Sequence, residues 1–311
     1  PSYTVMKSNR EINIKYFNYL LRGELYRQIY ESFSYGVRVG QWEIRYHDFK
    51  KIPLPFPPLI EQKKISLLKE NKKEKVEKLI DKSLKKIEIL IELKKATINK
   101  FITKGINQNI ELKNSNIHWI GKIPKHWKVS KIGRHFKLER GRVISNLEIS
   151  ENPGDYPVYS SQTKNDGRLG KINSYDFQGE YVSWTTDGAN AGTCFYREGK
   201  FNVTNVCGLI STHEIPFNYQ YLSFFLNLGT KNYVRLDINP KLMNDMMSEI
   251  SCLIVPLNEQ IHIVNRINKK IVIYDQVINL ERKKIKLLKE FVQSMISSFT
   301  LGEVRIHKNN E

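Results

Sequence analysis

An eight-residue block occurs twice in this chain, and the duplication limits what everything else in it can be. Pro58-Leu59-Ile60-Glu61-Gln62-Lys63-Lys64-Ile65 returns as Pro256-Leu257-Asn258-Glu259-Gln260-Ile261-His262-Ile263. A short β-like stretch precedes each copy, Lys51–Phe56 and Ile250–Val255, and a long charged helical pattern follows each. Further upstream, Tyr16-Phe17-Asn18-Tyr19-Leu20-Leu21 matches Tyr221-Leu222-Ser223-Phe224-Phe225-Leu226. Agreement in the same order at separate places, each leading into a similar helix, marks a duplicated structural unit.

The two helical stretches carry narrow apolar seams. In the first, Ile80, Ile87, Leu90 and Phe101 fall at heptad-compatible spacing, with Ser83 and Lys94 as polar interruptions. In the second, Val264, Ile267, Ile271, Tyr274, Ile278, Ile285, Leu288, Val292, Met295 and Phe299 form a three-four stripe interrupted at Glu281. A repeat of 3.5 residues keeps one seam turned toward a partner helix, so the pattern predicts an antiparallel coiled-coil pair. Ser83 and Glu281 stand at equivalent places, giving each seam a polar notch that fixes register. Each helix would span roughly 60 Å at about 1.5 Å per residue. Gly105 and Gly302 are the expected stops. The competing reading is two amphipathic helices packed on unrelated globular cores.

Between the helices, from about Leu112 to Leu257, the composition changes. Gly, Asn, Ser, Thr and aromatics rise, and short β-like runs such as Tyr181–Trp184 and Phe201–Val203 alternate with turn signals at Asn152–Asp155, Asn165–Gly167 and Asp187–Gly188. This predicts a β-rich globular domain that closes with a helix over Phe217–Leu228. Residues before Lys51 read as the back half of an equivalent domain. The fold expected is therefore mixed α/β of the α+β kind. Its divisions are residues 1–60, 61–104, 105–258, 259–304 and a tail at 305–311: part of a first domain, a helix, a whole domain, a second helix and the end.

Charge narrows the function. Fifty Lys and Arg against 32 Asp and Glu leave a net charge of +18, a self-repulsion that a polyanion such as nucleic acid offsets; a lysine-rich genome is the plainer explanation. Cys194, Cys207 and Cys252 are an odd number with no close pair, which fits small apolar residues in a reducing cytoplasm better than disulfides or a zinc knuckle. No apolar run is long enough for a membrane span. Beginning at Pro1 in what reads as mid-domain sequence, the chain is expected to be a fragment or to have lost its N-terminus.

Trp119-Ile120-Gly121-Lys122-Ile123-Pro124-Lys125-His126-Trp127 then supplies a motif. It resembles the W-x-G-x-I-P-x-x-W signature that opens a target-recognition domain in the specificity subunits of Type I restriction-modification enzymes. The duplicated Pro-Leu-x-Glu-Gln resembles the junction between such a domain and its conserved helix. The resemblance covers nearly the whole chain and departs from the family where the front of the first recognition domain should stand. It implies a subunit whose recognition domains each read half of a bipartite site in double-stranded DNA, held apart by the helix pair. It also implies adenine methyltransferase subunits and a motor-nuclease subunit as partners, with S-adenosylmethionine, ATP and Mg on those partners and no cofactor on this chain. Half-sites one helical turn apart lie about 34–36 Å from centre to centre, a span that a rigid helix pair holds better than a flexible linker.

Three loops of the complete domain are the expected DNA contacts: Glu139–Arg142, with Arg140 and Arg142; Ser160, Ser161, Gln162, Lys164 and Asn165, with Arg168; and Thr185, Thr186 and Asn190, followed by Asn205. Arg235 and Lys241 are expected on phosphates. Taken one at a time, these side chains equally suit ordinary polar turns. The interface with partner subunits is expected along Ile80, Ile87, Leu90, Phe101, Ile271, Tyr274, Ile278, Ile285, Leu288 and Val292. Catalytic motifs are not found. Asn239-Pro240 continues as Lys241-Leu242 where an adenine methyltransferase needs Pro-aromatic, Gly167–Lys171 lacks phosphate-loop spacing, and the histidines show no metal-ligand spacing. Asp81 with Glu92 and Lys94 sits on a regular charged helix. Two other readings stay open: the recognition part of a fused restriction-methylation enzyme, and a truncated relic that no longer reads a full site.

Overall fold

The structure is a computed structural model that describes residues 7–35, 43–107, 109–212, 215–236 and 239–300. Phe299, Gly302 and the expected tail lie outside the residues whose side chains are described. Two long helices, Leu59–Lys104 and Leu257–Thr300, organise the chain. Each starts on the Leu after the repeated proline, two residues before the Glu-Gln pair. The Pro58 carbonyl accepts the Glu61 and Gln62 amides, and the Pro256 carbonyl those of Glu259 and Gln260. Gly105 closes the first at φ +72, the left-handed turn that favours glycine.

The chain forms two compact units, whose boundaries run through the helices after Leu90 and after Tyr274. The residue divisions read from the sequence lie instead at the helix ends. The difference arises because each helix gives its two ends to different cores.

In unit 1 (residues to Leu90 and from Asp275), helices Ile14–Leu21 and Glu24–Phe33 and the single turn Tyr46–Phe49 surround Tyr16, Phe17, Leu20, Tyr26, Ile52, Ile65 and Met295. Along the helix pair, Ile87, Ile278 and Ile285 are buried, with Ile80 and Leu90 packed beside them. Lys86 Nζ reaches Glu281 Oε1 at 2.7 Å, and Ile65 shares a cluster with Met295, so the helices run antiparallel here. Ser83 and Glu281, expected to notch two seams, meet in one. Lys86 first, and Ser83 after it, hold the Glu281 carboxyl below its ordinary range. Leu288 and Val292 are half-buried on the same helix.

In unit 2 (Ile91–Tyr274) twelve strands are described: β1 (Leu112–Asn114), β2 (Lys122–Pro124), β3 (Lys128–Lys131), β4 (Lys137–Arg140), β5 (Tyr156–Tyr159), β6 (Arg168–Ile172), β7 (Phe177–Gln178), β8 (Tyr181–Thr185), β9 (Cys194–Arg197), β10 (Lys200–Val203), β11 (Cys207–Ser211) and β12 (Ser251–Ile254). An antiparallel sheet runs β4-β11-β8-β9 and a second sheet runs β6-β5-β10-β7, in which β5 and β10 are parallel. The helix expected near residue 217 is Tyr219–Gly229, capped by Asn218. The core joins Ile123, Trp127, Trp184, Tyr221, Leu222, Phe225 and Leu253 to Ile263, Val264 and Ile267 of the second long helix. Phe101 and Ile271 pack on this core. They belong to the globular unit as well as to a helix pair, where Thr97 Oγ1 meets the Tyr274 hydroxyl at 3.0 Å.

The duplication is reproduced bond for bond. Gln62 donates to Pro57 O and accepts the Asn13 amide; Gln260 donates to Val255 O and accepts the Asn218 amide. Asn13 and Asn218 each cap the helix that follows, at Tyr16 and Tyr221. Both glutamines are fully buried, so each must find partners for its amide, and the repeated loop supplies them.

Candidate nucleic-acid interface

The loops singled out in the sequence converge on Thr204 and Asn205, which follow β10. Gly141 and Arg142 run beside them, and a Cβ on Gly141 would stand 2.1 Å from the Val203 carbonyl, so only glycine allows that approach. Arg140 Nε donates to Asn205 O at 2.7 Å, leaving the rest of an exposed guanidinium free to turn outward. Thr204 Oγ1 bonds Ser160 Oγ at 3.1 Å, and the Thr204 amide bonds Tyr159 O at 2.9 Å. The third loop joins through Asn190 Nδ2 on Ser161 O at 3.1 Å and the Thr186 amide on Val206 O at 3.0 Å. Arg235 and Lys241 pair through their backbones, and Lys241 bridges to Asp187. These loops therefore form one connected set, all of it within unit 2.

Exposure sorts the candidates. Arg140, Lys164, Asn165, Arg168, Asn205, Arg235 and Lys241 are exposed, while Ser160, Ser161, Gln162 and Asn190 are half-buried. Lys164 and Arg168 have no ion pair among the described residues, so their charge is available to an incoming anion. Gln162 is engaged by the Arg168 carbonyl. Three residues correct the sequence expectation. Thr185 and Thr186 are 1% and 0% exposed; Thr185 bonds Asn190 O and the Thr193 amide, so its hydroxyl closes the loop instead of facing outward. Thr186 Oγ1 is buried without a partner among the described residues. Arg142 is gripped by Glu148 at 2.7 Å and Asp176 at 3.0 Å, which raise its pKa, Glu148 foremost. A guanidinium already paired twice has little to offer a phosphate.

Arg197 was not foreseen. It is 2% exposed at the end of β9, donates to Ser183 Oγ at 2.9 Å and lies 3.6 Å over the Tyr159 ring. Its Nη1 holds Asp166 at 3.0 Å. Asn165 and Asp166 both have positive φ, 50° and 57°, so this ion pair secures a turn that non-glycine residues rarely keep. No sequence signal could have found it, because an arginine near a strand end reads as a surface residue. Lys231 has a similar role: its ammonium sits on Ala191 O at 2.6 Å and Asn190 O at 3.3 Å.

The cysteines are buried and free. Burial pushes the thiols of Cys194 and Cys252 up to about 12 and that of Cys207 to about 11, so they stay protonated at neutral pH.

The tryptophan signature is part of the frame. Trp127 is fully buried and donates to Glu259 Oε2 at 3.0 Å, while His126 Nε2 meets Glu259 Oε1 at 2.7 Å. The opening motif of the domain is thus fastened to the glutamate of the second Pro-Leu-x-Glu-Gln. Trp119 packs on Phe225 with ring centroids 5.3 Å apart.

Residues 124–290, more than half of the chain, match the family model described as the Type I restriction modification DNA specificity domain. The chain belongs to this family. The family stretch takes in every loop of the candidate interface and the Glu259 anchor. A Mycoplasma pneumoniae sequence bearing the name S.MpnORF289P N-terminus, of a type I specificity subunit, is 48% identical over 114 residues, which are 36% of this chain and 61% of that one. The Type I restriction enzyme MpnII specificity subunit of the same organism is 43% identical over 125 residues, 40% of this chain and 38% of that protein. The chain thus matches less than two thirds of the length of these relatives. Two solved structures share the fold of the specificity family. The HsdS subunit from Thermoanaerobacter tengcongensis aligns with a TM-score of 0.58 at 12% identity, over 93% of this chain and 70% of that one. A chain from a study of complex assembly and conformational transition in the type I R-M system aligns with a TM-score of 0.70 at 13% identity, over 94% and 72%.

Proposed function

We propose that this chain is the DNA-specificity subunit of a Type I restriction-modification complex and that unit 2 reads one half-site of duplex DNA. The observation that carries the proposal is the convergence of Arg140, Lys164, Asn165, Arg168, Asn190 and Asn205 on one connected set of loops. Arg, Lys and Asn are the side chains that pair with base edges in the major groove, and a set held by mutual hydrogen bonds can present them in fixed register. Arg235 and Lys241, with the chain's excess of positive charge, supply phosphate contacts that position the protein without reading sequence.

In this reading the chain recognises DNA and carries out no chemistry. Adenine methyltransferase subunits and a motor-nuclease subunit assemble on its helices in the cytoplasm, and S-adenosylmethionine, ATP and Mg act on those partners. No described helix is long and apolar enough to cross a membrane.

The test is an exchange. Replacing residues 125–250 with the equivalent segment of a relative should change one half of the methylated site and leave the other half intact, as read by methylome sequencing. A change in both halves, or in neither, would sink the modular reading. Direct binding of the chain to duplex DNA should also weaken steeply with salt, since each neutralised phosphate contributes about 0.9 to the slope of log K against log salt. Binding that is absent at 50 mM salt, or insensitive to salt, would contradict the interface.

A further inference from the structure

The ion pairs of Arg142 fix a loop of unit 2 that displays apolar side chains to solvent. Its Nη1 donates to Glu148 Oε1 at 2.7 Å and to Val143 O at 3.4 Å, and its Nε donates to Asp176 Oδ2 at 3.0 Å. Ser145 caps the short helix Asn146–Glu151 by accepting the Glu148 amide at 3.0 Å. In a capping box the glutamate at this position turns back to the amide of the cap residue. Here its carboxylate holds Arg142 instead. Ile144 and Ile149, the two positions of a hydrophobic staple about that cap, share a small core with Val158 and Ile172. Gly141, pressed against the Val203 carbonyl, sets where the loop begins.

What this loop leaves outside is Val143 and Leu147, 71% and 65% exposed, with Ser145 and Asn146 also exposed between them. The two chains run parallel through the bridge between Arg142 and Thr204, so Val143 follows Arg142 as Asn205 follows Thr204. Val143 therefore borders the loop set assigned to DNA, where Arg140 Nε holds Asn205 O at 2.7 Å. Two side chains fall far short of the roughly 1,200 Å² that a stable protein interface buries. They are large enough to cover one or two methyl groups. In the major groove the apolar group that an unmodified base presents is the C5 methyl of thymine, and small apolar side chains are its partners.

We propose that Val143 and Leu147 read C5 methyl groups of pyrimidines in the major groove, and that Arg142 is the residue that positions them. This rests on the reading of unit 2 as a DNA reader and adds an apolar contact to a set otherwise made of Arg, Lys and Asn. In unmodified DNA the methyl is thymine's; 5-methylcytosine carries the same group at the same place.

The experiment measures binding of the full chain, by anisotropy, to a duplex selected from a random pool, with each thymine replaced in turn by deoxyuridine. One or two replacements should weaken binding about fourfold each, the loss expected when one methyl is no longer buried. Val143→Ser and Leu147→Gln, both changes at exposed positions, should weaken binding to the thymine duplex by a similar factor. They should also abolish the preference for thymine over deoxyuridine, so that combining the protein and base changes costs no more than either alone. Arg142→Gln should shrink that preference and leave the slope of log K against log salt unchanged. A slope lower by about 0.9 would make Arg142 a phosphate contact and overturn its positioning role. Placing 5-methylcytosine at each cytosine identifies the source of the methyl: tighter binding there that needs Val143, with no loss at any thymine, would assign it to a modified cytosine. Site-selective binding that no methyl change alters, or that changes equally in the Val143 and Leu147 variants, overturns the proposal and leaves DNA reading intact. Absence of any duplex binding refutes DNA reading, and this proposal with it.

Discussion

Replacing Lys69 with methionine should stabilise unit 1, and the gain should depend on pH. Lys69 lies on the first long helix, 1% exposed, with its Nζ lacking a hydrogen-bond partner among the described residues and 3.1 Å from the centroid of the Tyr19 ring. Burial, aided by the neighbouring Lys73 charge, holds its ammonium down at about 7 against the usual 10.5. Its counterpart in the repeat is Ile267, fully buried in the core of unit 2, so an apolar side chain fits this position of the frame. In the unfolded chain the lysine keeps its proton up to about pH 10.5, and in the folded chain only up to about 7. The folded state is therefore penalised fully below pH 7, and the penalty fades as pH rises toward 10.5.

The drop to about 7 corresponds to roughly 5 kcal/mol, at about 1.4 kcal/mol per pH unit. The face of Tyr19 returns about 1–2 kcal/mol of that to the cation, and side-chain motion toward water trims it further. Lys69→Met should thus gain about 2–3 kcal/mol at pH 7 and less than about 1 kcal/mol at pH 9.5. Urea denaturation of both proteins at the two pH values, followed by far-UV circular dichroism, measures the difference. A gain that is the same at both pH values, or a less stable variant, would show that Lys69 is not held neutral by burial.

Trp127→Phe should lower stability by about 2–3 kcal/mol, seen as a lower Tm, because the Glu259 carboxylate loses its indole donor and the smaller phenyl ring leaves a gap at a fully buried site. Asp166→Ala should leave the Tm nearly unchanged, while amide exchange across Ser160–Arg168 speeds up and selection from random duplexes gives a weaker half-site preference; an unchanged preference would show that the Arg197 ion pair does not position the loop. Ile285→Asp puts an unpaired carboxylate into the buried seam beside Ile278 and should cost about 3 kcal/mol. If the helix pair carries the proposed methyltransferase partner, the variant should lose that assembly, measured by light scattering, more than it alters base preference; intact assembly would show that the seam does not position such a partner.

Periodicity and repetition carried the frame. The duplicated Pro-Leu-x-Glu-Gln marks both long helices to within two residues of where they begin, and the apolar stripes place Ile87, Ile278 and Ile285 in the seam where the structure buries them. These features are legible because helix period, proline and glycine act locally. Within unit 2 the turn signals at Asn165–Gly167 and Asp187–Gly188 fell where the backbone does take positive φ.

What the chain does at long range was not legible. Glu259 and Trp127 are far apart in sequence, and nothing local says that the family signature is an anchor and not a reader. Thr185 and Thr186 look like DNA contacts in a polar run, yet strand β8 carries them into the interior, because the pairing of β8 with β11 and β9 decides which way each side chain points. Arg197 looks like surface charge and is instead the buried clamp on the Asn165–Asp166 turn. The sequence by itself settled where helices start and stop, because those choices cost or gain energy within a few residues. Only tertiary structure decided which polar groups face outward, because that depends on partners brought from distant strands, which no local pattern encodes.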